Sequence, residues 1–83
     1  MNKNREELKR RLTAVFREIF SRESLEITEA TAAHDIEEWD SLMHITLVVA
    51  MEKEFGLQLQ AAEVGRLKNV GEMLDILEER ATQ

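Results

Sequence analysis

The stretch Trp39-Asp40-Ser41-Leu42-Met43-His44-Ile45-Thr46-Leu47-Val48-Val49-Ala50-Met51-Glu52-Lys53-Glu54-Phe55-Gly56 decides the fold. Leu47, Met51 and Phe55 recur at four-residue spacing, and Ile45 and Val49 form a neighbouring row. The segment therefore reads as a helix from Ser41 to Phe55, apolar around much of its circumference and central to an all-α fold. Asp40 is a residue type that caps helix N-termini. Gly56 marks the stop, because glycine adopts the left-handed conformation without steric cost.

Two further helical patterns flank this one. Leu8, Leu12, Val15, Phe16, Ile19 and Phe20 make one apolar stripe, with Lys9, Arg10, Arg11 and Arg17 on the other face. Val70, Met73, Leu74 and Leu77 define a closing helix from Val70 to about Arg80, and Asn69-Val70-Gly71-Glu72 has capping-box spacing. Ala61 to Arg66 is expected to form a short helical turn, weakened by Gly65. Leu57 and Leu59 alternate with Gln58 and Gln60, yet no second strand candidate exists to pair with them. Ser21 to Asp40 is long for a loop in a compact fold, and Leu25, Ile27 and Ile36 are expected to pin it across the helices. The expected core is Leu8, Leu12, Val15, Phe16, Ile19, Leu47, Met51, Phe55, Leu67, Val70, Leu74 and Leu77.

Composition narrows the function classes. Eighty-three residues suit a single domain, 1–83, with one modest core. A core of this size without disulfide or metal typically supplies only roughly 3–5 kcal/mol of net stability. The formal net charge of −6 argues against nucleic acid, whose binding needs Lys and Arg to displace counterions. The helix after Ser41 has only Lys53 as a base, which argues against a DNA-reading helix-turn-helix. There is no cysteine, hence no thiolate nucleophile and no disulfide framework. His34 and His44 lack the ligand spacing of a metal site, and Glu37 and Glu38 have no accompanying nucleophile or oxyanion donor, so no enzyme activity is expected. No apolar run has membrane-spanning length and the N-terminus reads as no signal peptide. A cytoplasmic monomer is the expectation.

Charge is unevenly divided. Met1 to Phe20 holds six bases and three acids, whereas Ser21 to Asp40 holds seven acids and one base, Arg22. The acidic block leads to Ser41 and suits docking to a basic partner, although most charge runs are simply solvated faces. Ser41 opens a helix, where unsatisfied N–H groups and the macrodipole favour negative charge. It reads as an attachment point for a large anionic group. Taken alone, Asp-Ser-Leu is a weak motif, and in an arbitrary helical domain it reads as a capping aspartate followed by an ordinary first-turn serine. His44 reads as a helix-surface residue, and Trp39 as an anchor for the loop.

Context changes the weight of that motif. Trp39-Asp40-Ser41-Leu42, Ile45, Leu47-Val48-Val49-Ala50-Met51-Glu52 and Glu54-Phe55-Gly56 together resemble the acyl carrier protein family around its modified serine. The order of elements is similar over nearly the whole chain. The resemblance implies a four-helix bundle with three main helices, one short irregular helix and a long loop between the first two. It implies 4′-phosphopantetheine on Ser41, installed from coenzyme A by a phosphopantetheinyl transferase that recognises Asp40, with acyl groups held as thioesters. Acyl-loading, acyl-transfer or condensing enzymes are the further partners implied, meeting Glu37, Glu38, Leu42, Met43, Ile45, Glu52 and Val64.

The chain departs from carriers of fatty acid synthesis, which usually show acids on the exposed side of the serine helix. Met43, Thr46 and Lys53 stand there instead, with Val48 and Trp39 as candidate additions to an apolar docking area. This points to a specialised lipid, polyketide or cell-envelope pathway such as lipopolysaccharide. Peptidyl carriers usually have glycines where this chain has Glu38-Trp39-Asp40, which favours acyl over aminoacyl cargo. An aminoacyl or peptidyl carrier and an unmodified helical interaction domain are the alternatives.

Overall fold

The computed structural model describes residues 3–80. Helix α1 covers Lys3–Ile19, α2 covers Ser41–Phe55, α3 covers Ala61–Val64 and α4 covers Val70–Arg80. A single 3₁₀ turn, Ala33–Asp35, interrupts the long loop after α1. No strand occurs among the described residues, only an isolated bridge between Ala32 and Asn69. No described helix is long and apolar enough to cross a membrane.

The apolar stripes meet in one cluster. Leu12, Phe16, Leu47, Met51, Val70, Met73, Leu74 and Leu77 are fully enclosed, so α1, α2 and α4 share the interior as their periodicity requires. Gly56 ends α2 at φ 66°, ψ 42°, the left-handed C-terminal stop expected of it.

Several side chains differ from the expected core. Ile19 is only half-buried, and Phe20 takes its place at 5% exposure. The helix ends at Ile19, and Ser21 enters the left-handed region at φ 54°, so the chain turns and Phe20 packs on Phe16 with ring centroids 5.8 Å apart. The loop is pinned as expected, with Ile27 and Ile36 buried and Leu25 half-buried, and Trp39 anchors it as a buried ring that adds no docking area. Val48 is buried as well and offers no docking area.

The long loop is held by hydrogen bonds and ion pairs at both sides. The carbonyls of Glu29 and Thr31 accept the N–H groups of Gly71 (2.8 Å) and Val70 (2.9 Å), which satisfies donors at the start of α4. Asn69 Oδ1 accepts the N–H of Glu72 at 2.8 Å, the first half of a capping box. Glu72 does not complete it; its carboxylate accepts the N–H of Lys68 instead. Arg5 of α1 reaches Glu29 at 2.8 Å, Asp75 at 3.0 Å and Glu78 at 2.9 Å, joining α1, loop and α4 in one network. Arg17 donates to the carbonyl of Leu25, and Arg22 pairs with Glu38. Much of the loop's acidity is thus directed at basic side chains of the same chain, and the surplus facing a partner is smaller than the sequence suggests.

Candidate functional site

The site begins with a cap. Asp40 sits in extended backbone, φ −110° and ψ −171°, and its carboxylate accepts the N–H of Met43 at 2.9 Å. Its carbonyl accepts the N–H of His44 at 2.8 Å, the first helical bond of α2. Asp40 therefore fixes where the helix starts and makes Ser41 its first residue. The Ser41 side chain is exposed. Backbone N–H groups at this first turn have no acceptor within the helix, so positive potential gathers beside the hydroxyl. An anionic phosphodiester on Ser41 fits this environment, with the Asp40 carboxylate already turned to Met43 and room above in solvent.

The face of α2 next to Ser41 is apolar and exposed. Leu42 is 72%, Ile45 58% and Val49 46% accessible, and at 100° per residue they form one strip, with Thr46 and Lys53 on the same side. Met43 does not join it fully, being half-buried against the core. Glu37 and Glu38 are exposed just before the cap. The Glu38 carboxyl is held below the usual carboxylate range, first by a hydrogen bond from its own backbone N–H and then by Arg22.

Two expected contact residues, Glu52 and Val64, have structural partners of their own. Glu52 is eleven residues along α2, about 16 Å from Ser41 at the helical rise. Its half-buried carboxylate accepts the N–H of Leu59 at 2.8 Å, so it stops the segment that follows α2. Val64 ends α3, half-buried, and presents its backbone carbonyl toward α2.

His44 overturns its reading as a surface residue. It is half-buried, its ring stacked on Trp39 at 16° with centroids 5.9 Å apart, and both ring nitrogens have partners. The signal was present in the helix phase: residue 44 shares the face of Leu47, Met51 and Phe55, whereas Ser41 lies at the border of that face.

Comparison with known proteins agrees with this geometry. A family model described as a phosphopantetheine attachment site matches residues 10–77. An acyl carrier protein from Thermosynechococcus vestitus is 37% identical over 51 residues, which are 61% of this chain and 62% of that protein. The match thus spans less than two thirds of the relative's length. The solution structure of a holo acyl carrier protein from Geobacter metallireducens superposes with a TM-score of 0.80 at 37% identity, covering 86% of this chain and 82% of that one. With four α-helices among the described residues, a capped serine and a family match running from α1 into α4, the chain belongs to the phosphopantetheine attachment-site family, whose members carry groups rather than catalyse reactions.

Proposed function

We propose that this chain is an acyl carrier bearing 4′-phosphopantetheine on Ser41. The observation that carries the reading is an exposed serine at the first position of α2, capped by Asp40, inside the segment that matches the family. In the attachment step the Ser41 oxygen forms a bond to the phosphorus of coenzyme A that bears the pantetheine. The pyrophosphate P–O bond breaks, 3′,5′-ADP leaves, and the hydroxyl proton passes to a base on the phosphopantetheinyl transferase. The bound group supplies the thiol that this cysteine-free chain lacks, and that thiol holds acyl cargo as a thioester. The chain's own part is to hold Ser41 at a fixed helix start and to offer a surface beside it.

That surface is where acyl-loading, acyl-transfer or condensing enzymes dock. Leu42 and Ile45, extended by Val49, supply desolvated contact, with Glu37, Glu38 and Asp40 steering a basic partner. Met43 and the Val64 edge line the inner side of the same surface, and Glu52 supports it from the far end of α2. An apolar recognition face suits a dedicated pathway with its own enzymes, in lipid, polyketide or cell-envelope assembly. The working form in this reading is a single-domain cytoplasmic monomer.

Intact mass tests the assignment. After incubation with coenzyme A and a broad-specificity transferase, the wild type should gain one phosphopantetheine and Ser41→Ala should gain none while keeping its helical circular dichroism. Attachment to the folded alanine variant, or peptide mapping to another residue, would show that the site is elsewhere.

A further inference from the structure

The indole nitrogen of Trp39 lies 3.1 Å from Nδ1 of His44, and Nε2 of the same ring lies 3.3 Å from the carbonyl oxygen of Val64. An indole N–H only donates and a carbonyl only accepts. Nδ1 must therefore be the acceptor, and the ring proton must sit on Nε2. One neutral tautomer of His44 thus ties the end of the long loop to α2 and α2 to α3. Behind it the aromatic contacts continue inward: Trp39 meets Phe16 edge-on, with centroids 5.4 Å apart at 83°, and Phe20 at 6.2 Å.

The place of this ring matters because α3 cannot hold itself. Four residues are too few for a stable isolated helix, so packing and side-chain ties decide where it lies. Arg80 holds it through Glu63 and the carbonyl of Gln58. His44 holds it from the α2 side, through the longer of its two bonds. An apolar chain attached through Ser41 gains by leaving water, and the gain grows with each methylene. Residue 44 lies one helical turn beyond Ser41 and about 60° toward the core, and its ring stacks on Trp39, which packs on Phe16 and Phe20.

We propose that His44 is a latch on the seam between α2 and α3 and sets cargo specificity. Closed, it keeps an acyl chain out of the aromatic interior, so this carrier presents short or polar acyl groups in solvent. A long apolar chain enters only when the bond to Val64 is broken. The cargo role rests on attachment at Ser41 as proposed above, whereas the latch itself does not.

Nitrogen-15 spectra of the unmodified chain test the latch first. His44 should show a protonated Nε2 and an unprotonated Nδ1 at neutral pH; the opposite tautomer, or fast averaging of the two, overturns it. Holo protein carrying acetyl or octanoyl thioester then tests cargo, with hydroxylamine cleavage and the Trp39 indole N–H resonance as readouts. In the wild type the two thioesters should be cleaved at similar rates, with the indole resonance unchanged. In His44→Ala the octanoyl thioester should be cleaved several-fold more slowly than the acetyl. Trp39→Phe, which keeps a ring but removes the donor, should shift cleavage in the same direction should the alanine variant fail to fold. Selective octanoyl protection in the wild type, or none in either folded variant, overturns the cargo role. Failure at Ser41 appears separately, as absent mass gain, and overturns the carrier reading together with the cargo role, while the tautomer still decides the latch.

Discussion

Gly71 donates its backbone N–H to the carbonyl of Glu29 at 2.8 Å, and a β-carbon on Gly71 would stand 3.1 Å from that same oxygen. In an open helix, glycine to alanine adds about 1 kcal/mol of helix propensity. Here the added methyl would press on the loop carbonyl that satisfies the helix start. Gly71→Ala should therefore lower stability in urea or thermal unfolding rather than raise it. A melting temperature above wild type would mean that the loop yields freely.

Asp40 carries both a cap and a charge, and the two separate by substitution. Asp40→Ala should cost about 0.5–2 kcal/mol, since the Met43 N–H loses its acceptor. Asp40→Asn should recover most of that stability, because an amide oxygen still accepts. Under the carrier reading it should remain a poor substrate for the transferase. Equal modification rates for Asp40→Asn and wild type would reduce Asp40 to a cap alone.

The two phenylalanines of α1 and α2 with large burial differ in kind. Phe16 is fully enclosed, whereas Phe55 is 8% exposed and lies under the Arg11 guanidinium, 4.5 Å from ring centroid to Cζ. Phe16→Ala should cost about 3–5 kcal/mol, comparable with the whole stability of so small a core. Phe55→Ala should cost less, because the Arg11 stem can settle over the gap. Denaturant midpoints ordered the other way would place the packing centre at the C-terminal end of α2.

Acid should loosen the loop in a defined window. Hydrogen bonding to Arg5 holds the Glu29 carboxyl below its ordinary value of 4.5. A carboxylate depressed in the folded state adds stability that is present above the unfolded value and lost as pH falls through the folded one. Stability should thus decline below about pH 4.5. Glu29→Gln should be less stable than wild type at neutral pH and show a shallower decline in that acid range. Parallel pH profiles for the two proteins would remove Glu29 from the account.

Docking should follow the exposed strip on α2. Ile45→Glu should weaken binding to the cognate enzyme while leaving stability near wild type, since Ile45 is 58% exposed. Wild-type affinity should fall only modestly between low and physiological salt, because apolar contact is not screened. A steep salt dependence with Ile45→Glu neutral would assign docking to Glu37 and Glu38.

Periodicity along the chain determined the helices and their inward faces. Leu47, Met51 and Phe55 set the phase of α2, Gly56 its end, and Val70 to Leu77 the closing helix, because a 3.6-residue repeat is a local property readable without neighbours. Asp40 and Ser41 were legible for the same reason, since a cap is defined by its own few residues. Tertiary structure decided what distant residues do to one another. The acids at 26, 29 and 38 read as a surface for a partner until Arg17, Arg5 and Arg22 were seen to meet them. Val48 read as surface and His44 as solvated, whereas Val48 is buried and the His44 ring stacks on Trp39 and bonds to Val64 of α3. Helix phase puts residue 44 on the inward side, but no spacing in the sequence encodes which contacts it or the three acids make. They arise from where a twenty-residue loop lies across three helices, and that placement is set by packing and hydrogen bonding between segments far apart in the chain.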